Sequence, residues 1–312
     1  GHSLRATKLR GIIAREVGKD ITINEIFLTP TIQSQAQLLE TKGLKELQVI
    51  QATEEQANYP VSFTQERLWV LTQFEEASKA YHMPAAFKIK GQLDHQRLQA
   101  AVNMVVEKHE SLRTVFKEIN GNPVQLILAI EKTIIEIDQH TLSNSTDSLN
   151  EFLISDWSRP FDLHNGPLLR CSLIQTETEM ILSFNMHHII SDGWSINVLF
   201  SDVTKAYSLL TKNDRQSLVP LEIQFKDFAI WQRNYLTEDK LQEQLNYWKD
   251  GVFQQGVSVL ELPTDFHRPE VKTYNGDALH HTFSKELTQQ LIKSNHKAGV
   301  SLFMSLMANV SI

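Results

Sequence analysis

Residues 166–210 read GPLLRCSLIQTETEMILSFNMHHIISDGWSINVLFSDVTKAYSLL. Two apolar runs flank the polar stretch Glu177–Glu179, so 166–188 is predicted to be an antiparallel strand pair turning there. From Ser195 onward the apolar residues recur at helical spacing, with Ser195 placed as the N-cap. Strands and helices alternate from residue 61 onward, the pattern of an α/β fold.

The flanking segments extend this reading. DHQRLQAAVNMVVEKH (94–109) sets Leu98, Ala101, Val102, Val105 and Val106 on one helical face behind Asp94 as cap. SLRTVFKEINGNPVQLIL (111–128) reads as two strands joined through Asn120-Gly121, a strong hairpin signal. After Pro220 come two helices, FKDFAIWQRNYL and DKLQEQLNYWKDGV, then the loop LPTDFHRP, one strand (ALHHTFS, 278–284), a helix and a final apolar helix in VSLFMSLMANVSI whose packing partners are expected further along the chain. Upstream, SLRATKLRGIIAREV (3–17) has helical spacing with Ser3 as N-cap and Gly18 as terminator. NEIFLTPTIQSQAQLLE gives a short helical turn, a Thr-Pro break and a second helix, so the first segment reads as the remnant of a small helical bundle. Residues 41–60 are polar, end in proline and read as a linker.

A chain of 312 residues has room for two domains, and its 41% apolar and 21% charged residues are those of a water-soluble globular protein. The net charge of −7, without a Lys/Arg block, argues against nucleic acid as partner. The single cysteine, Cys171, excludes an internal disulfide and gives no sign of an oxidising compartment, so the expectation is cytoplasmic. No apolar run reaches the roughly 18 residues that span a bilayer, so no membrane is expected. The start at Gly1-His2-Ser3 suggests a piece of a longer protein.

The chemistry concentrates in MHHIISDGWS (186–195). Neighbouring strand side chains point to opposite faces, so His187 and His188 are ill placed to chelate one ion. His109, His140, His280 and His281 have no metal-ligand spacing either, and no metal is expected. One ring of the pair is expected in the core and the other towards a cavity. Gly193 offers permissive backbone, and the helix start behind it presents free N–H groups. A neutral imidazole there can take a proton while those donors meet developing negative charge. Asp192 either orients a histidine or forms half of a buried ion pair. Ser191 and Ser195 read as turn and cap, not nucleophiles, so the expected chemistry is acyl transfer without a covalent enzyme intermediate.

MHHIISDGWS resembles the His-His-x-x-x-Asp-Gly motif of the condensation domains of nonribosomal peptide synthetases. VSFTQERLWVL (61–71), KHESLRTVF (108–116) and FKDFAIWQR (225–233) resemble the first, second and fourth family motifs, in that order. Thr64, Lys108 and Phe225 depart from the usual alanine, arginine and tyrosine. GHSL resembles the phosphopantetheine attachment site of peptidyl carrier domains. The resemblance implies a chloramphenicol-acetyltransferase-like two-lobed α/β sandwich. Its implied divisions are 1–42 carrier domain (C-terminal part), 43–60 linker, 61–235 N-terminal lobe and 236–312 the start of the C-terminal lobe.

Carried over residue by residue, His188 is the catalytic histidine that positions or deprotonates the acceptor amine, and His187 the one that packs inward. Asp192 is a structural aspartate paired with Arg67, and Gly193 lies near the thioester. Ser3 would carry covalent phosphopantetheine. The implied reaction joins a donor acyl or peptidyl thioester on the upstream carrier to the amine of an aminoacyl thioester on a downstream carrier. Implied partners are the carrier and adenylation domains of one synthetase and a phosphopantetheinyl transferase. The alternatives are a related histidine acyltransferase or epimerisation domain of the same fold, or a non-catalytic carrier-docking module.

Overall fold

The computed structural model describes residues 3–44, 50–73, 78–142, 146–212, 218–259, 261, 263–270, 273, 276 and 278–311. They fall into two units, 1–262 and 263–312.

At the start of the first unit, α1 (Ser3–Val17), α2 (Ile23–Leu28) and α3 (Ile32–Glu40) enclose a small core of Ala6, Ile21 and Ile26, with Ile13, Ile23, Leu38 and Leu39 packed against it. Capping boxes open α2 (Thr22 with Glu25) and α3 (Thr31 with Ser34), each satisfying helix-end N–H groups. Ser3 is already the first residue of α1 and not the cap before it; its side chain and residues 1–2 lie outside the described residues. So does 45–49 of the expected linker.

The end of that linker is structured. β1 (Tyr59–Pro60) joins a three-stranded antiparallel sheet of order β1-β4-β3, with β3 at Thr114–Ile119 and β4 at Asn122–Ile127. Asn120 (φ 52°) and Gly121 (φ 78°) turn the hairpin, the pair of positive φ values that a two-residue turn of this hand demands. A second, four-stranded sheet has the order β2-β7-β6-β5, where β2 is His82–Ile89, β5 Ile137–Thr141, β6 Leu169–Gln175 and β7 Met180–His187. β7 runs antiparallel to both neighbours, and β5 runs parallel to β6.

Between and around the strands lie α4 (Phe63–Leu71), α5 (His95–Lys108), α6 (Thr146–Ser158), α7 (Gly193–Thr211), α8 (Phe225–Tyr235) and α9 (Glu238–Asn246). On one sheet face Leu182, Phe184 and Met186 of β7, with Leu169, Cys171 and Leu173 of β6, pack under Leu98, Val102 and Val105 of α5 and Leu199, Val203 and Ala206 of α7. The helical stripe expected from Asp94 onward is this contact, and Asp94 does cap α5 by accepting from Arg97 N–H. On the other face α6 covers Ser183 and Asn185, and the Phe161 ring lies 6.0 Å from that of His187. Trp157 Nε1–H donates to Ser183 Oγ at 2.9 Å, and Asn185 Nδ2–H donates to the Trp157 carbonyl at 3.0 Å.

In the second unit, 278–284 is not the expected strand: these residues have no regular secondary structure. Ser284 instead caps α10 (Lys285–Ala298), accepting from Leu287 N–H at 3.1 Å. α11 (Leu302–Val310) follows, with Phe303, Met304 and Val310 exposed.

Leu98 is 2% exposed at the centre of the main core. Leu98→Ala is therefore expected to destabilise the chain by about 2–5 kcal/mol. Ile154→Ala, at a 64% exposed position of α6, should stay within about 0.5 kcal/mol of the wild type. Urea unfolding midpoints compare the two.

Candidate active site

β7 ends at His187, and six residues later Gly193 begins α7. His187 is the last residue of β7 on the Ser183–Asn185 face and is fully buried. Its Nδ1 accepts from Ile189 N–H at 3.1 Å, so the ring proton sits on Nε2. Burial, reinforced by the neighbouring His82 and His188, lowers its pKa to about 3, and the ring stays neutral near pH 7.

His188 stands one residue past the strand and is half-buried. Its main-chain N–H donates to the Tyr81 carbonyl at 2.8 Å. Its Nδ1–H donates to the Ser191 carbonyl at 2.6 Å, because a carbonyl can only accept. In the neutral ring Nε2 is then the lone-pair nitrogen, and among the described residues it has no hydrogen-bond partner. A half-exposed imidazole whose tautomer is set through Nδ1 is the arrangement of a general base. The Ser191 hydroxyl closes the loop on itself, donating to the His187 carbonyl at 3.1 Å.

Asp192, and not Ser195, caps α7. The Asp192 carboxylate accepts from Ser195 N–H at 2.8 Å and Ser195 Oγ–H at 2.6 Å, while Ser195 Oγ accepts from Asp192 N–H. Desolvation pushes this carboxyl's pKa up, but the bonds from Ser195 and Trp194 and the nearby His188 outweigh it and leave the pKa lowered. The expected Asp192–Arg67 ion pair is absent among the described residues. Both side chains are exposed, and the helix N-terminus already satisfies the carboxylate, so no cation is required. Gly193 has no left-handed φ, which removes the conformational reason for glycine; a Cβ there would meet nothing within 4 Å, so the residue leaves open space at the head of α7.

The tie between the first motif and the histidine loop is made two residues earlier, by Gln65. This side chain is 3% exposed; its Nε2 donates to the Ile189 carbonyl at 3.1 Å and to Gln125 Oε1 at 3.2 Å. Its Oε1 accepts from Ser62 N–H at 3.0 Å in the capping box of α4. The spacing Ser62-x-x-Gln65 is the sequence signal that identifies it. Asp202 of α7, 4% exposed, is a second anchor that spacing alone does not single out: Lys108 Nζ and His109 Nε2 each lie 2.8 Å from its Oδ2. Desolvation raises its pKa, and these two bonds outweigh that and lower it. Beside the motif a cavity of about 110 Å³ is lined by His109, Ser111, Ile190, Ser191, Trp194 and Ser195 among others. No group of three or more His, Cys, Asp or Glu among the described residues is placed to hold a metal ion.

Two stability effects follow from this geometry. His187 titrates at about 3 when folded against 6.5 ordinarily, so as pH falls the unfolded chain binds the proton first. Stability is complete above about pH 6.5 and is lost towards pH 3, by up to about 1.4 kcal/mol per pH unit. His82, lowered mainly by burial, steepens the same window. Urea unfolding at pH 7, 5 and 4 should show this slope, and His187→Gln should flatten it by about one proton. Asp192→Ala removes an exposed cap and is expected to cost about 0.5–2 kcal/mol, well short of the cost of breaking a buried ion pair; thermal melts at pH 7 measure it.

Comparison with known proteins adds the lineage. The family model described as "Condensation domain" matches residues 55–312. Bacitracin synthase 2 of Bacillus licheniformis is 38% identical over 315 residues, which covers 100% of this chain and 12% of that protein. The chain thus spans a small part of the curated relative it matches. Among solved structures, the X-domain from teicoplanin biosynthesis aligns with a TM-score of 0.69 and 25% identity over 81% of this chain and 56% of that one. The epimerization domain from the third module of tyrocidine synthetase B aligns with a TM-score of 0.58 and 25% identity, over 69% of this chain and 49% of that one. The two-lobed α/β fold is that of these neighbours, and the chain belongs to the condensation-domain family.

Proposed function

We propose that residues 61–312 act as a condensation domain within a nonribosomal peptide synthetase, forming an amide between two carrier-bound substrates. The observation that carries this reading is His188, with Nδ1–H spent on the Ser191 carbonyl and Nε2 left as a lone-pair acceptor at the head of α7. The acceptor amine attacks the donor thioester carbonyl, a C–N bond forms and the C–S bond breaks. His188 Nε2 takes the proton from the amine and can return it to the departing thiolate. The helix N-terminus behind Gly193 offers N–H groups for the transient oxyanion.

In this reading residues 1–42 are the C-terminal part of the upstream carrier and 43–60 the linker, with 61–235 in the N-terminal lobe and 236–312 opening the C-terminal lobe. Ser3 is the attachment point for phosphopantetheine, added by a phosphopantetheinyl transferase. The fit is supported by its position at the head of α1, a 15-residue helix with no acidic residue in its first turn, where a phosphodiester meets free N–H groups and no like charge. When attached, the group supplies a thiol that carries the acyl chain as a thioester. The partners are the upstream and downstream carriers and the adenylation domains of the same synthetase, in the cytoplasm. No described helix is long and apolar enough to cross a membrane.

The epimerization-domain neighbour favours a second reading, in which the same Nε2 removes a proton from the α-carbon of a bound aminoacyl thioester. The product separates the two: an amide, or a thioester of inverted configuration. In the complete synthetase, His188→Ala is expected to melt like the wild type and to form amide about 10²–10⁴-fold more slowly in single turnovers. Near-wild-type turnover would rule out His188 as the base.

A further inference from the structure

On the Ser183–Asn185 face the four-stranded sheet holds four buried side-chain atoms with no hydrogen-bond partner among the described residues: His82 Nε2, Asn185 Oδ1, His187 Nε2 and Arg170 Nε. Register gathers them. His82 stands opposite His187 across β2 and β7, and Asn185 stands opposite Arg170 across β7 and β6, two residues along the same face. Two hubs draw them closer. The Trp157 carbonyl accepts from His82 Nδ1–H at 2.7 Å and from Asn185 Nδ2–H at 3.0 Å. The Phe161 ring lies 4.9 Å from the His82 ring, 6.0 Å from the His187 ring and 3.9 Å from Arg170 Cζ.

The other bonds of these side chains fix what each atom can do. His82 spends Nδ1–H on a carbonyl, so its Nε2 accepts. His187 accepts at Nδ1 from Ile189, so its Nε2–H donates. Asn185 has turned its amide nitrogen to Trp157, which leaves Oδ1 to accept. Arg170 engages Pro160 and Arg159 carbonyls through its terminal nitrogens, and its Nε–H can only donate. Two donors and two acceptors thus stand at paired positions on one sheet face, the complement that a single water molecule requires. The two histidine rings, 6.1 Å apart between centroids, are joined by no direct bond, a separation one oxygen atom can bridge.

We propose that one buried water binds here, accepting from His187 Nε2–H and Arg170 Nε–H and donating to His82 Nε2 and Asn185 Oδ1, which makes His82 a positioning residue for the histidine loop. The hydrogen bonds then run from Ile189 N–H through His187, the water and His82 to the Trp157 carbonyl. Ile189 is held at its carbonyl by Gln65, and its neighbour in sequence is His188. The effect on catalysis rests on the acyl-transfer reading above; the water site does not.

Selective ¹⁵N-histidine labelling of the 312-residue chain, with long-range ¹H–¹⁵N spectra near pH 7, tests the site. His187 is expected as the Nε2–H tautomer and His82 as Nδ1–H, with a slowly exchanging His187 Hε2 that shows a cross-peak to bound water. His82→Phe keeps a ring of similar size but removes both nitrogens, and should abolish that cross-peak. His82→Gln returns an acceptor and should restore it. A His187 Nδ1–H tautomer, or an Hε2 exchanging as fast as that of exposed His280, overturns the water site. In the complete synthetase, His82→Phe should lower kcat about 10- to 100-fold at unchanged KM, with recovery in His82→Gln. Wild-type kcat in His82→Phe overturns the positioning role. A wild type that binds the water but forms no amide counts against acyl transfer and leaves the site standing.

Discussion

Strand β7 is covered on both faces, and each face sets a different requirement. Towards α5 and α7 it needs close-packed apolar side chains, which Leu182, Phe184 and Met186 supply. On its other face it carries Ser183, Asn185 and His187, each 1% exposed or less, and every polar atom there needs a partner. Trp157 meets much of that demand, through its indole N–H to Ser183 and its carbonyl to Asn185 and His82. The strand's last residue is therefore held in one orientation before the loop begins, and the direction in which His188 leaves the sheet follows from it.

Most of the motif residues serve as anchors. Gln65 ties α4 to the histidine loop, and Lys108 and His109 clamp Asp202 of α7. Glu110 pairs with Lys226 at 2.9 Å, and Arg233 Nε donates to the Val61 carbonyl at 2.9 Å while its guanidinium pairs with Glu66. The first, second and fourth motifs, far apart in sequence, thus meet around the short segment that carries His188. Neutral amide and main-chain contacts hold the loop itself, while the charged pairs hold the elements behind it. That division limits the desolvation cost close to His188, because a neutral hydrogen bond gives up far less solvation than an ion.

Much of this was legible in the amino-acid sequence where one physical signal dominates. The 94–109 helix, the Asn120-Gly121 hairpin and the β6–β7 pair rest on apolar periodicity or turn chemistry, and the structure contains all three. The edge strands β2 and β5 did not announce themselves. β2 alternates only between half-buried and exposed positions, and β5 reads Ile-Asp-Gln-His-Thr, so neither offers an apolar stripe. At the site, the two histidines and the start of α7 were readable, but the partners were not. The family resemblance implied Arg67 for Asp192, whereas the structure uses a helix N-terminus for the aspartate and a buried glutamine for the interlock. Ser195 and Asp192 exchange roles because a reciprocal capping box can be read from either end when only residue types are known.

The bond that fixes the His188 tautomer ends on a peptide carbonyl and not on a side chain. A lock built from main chain cannot be erased by changing the amino acid at its own position: every residue at 191 would bring the same acceptor. Point substitution there can still loosen the Ser191 hydroxyl's bond to His187, but the lone pair on Nε2 depends on the path of the chain. Inserting or deleting one residue between His188 and Asp192 would shift that path and take the carbonyl out of reach. Length, more than identity, is what inheritance must preserve in this loop.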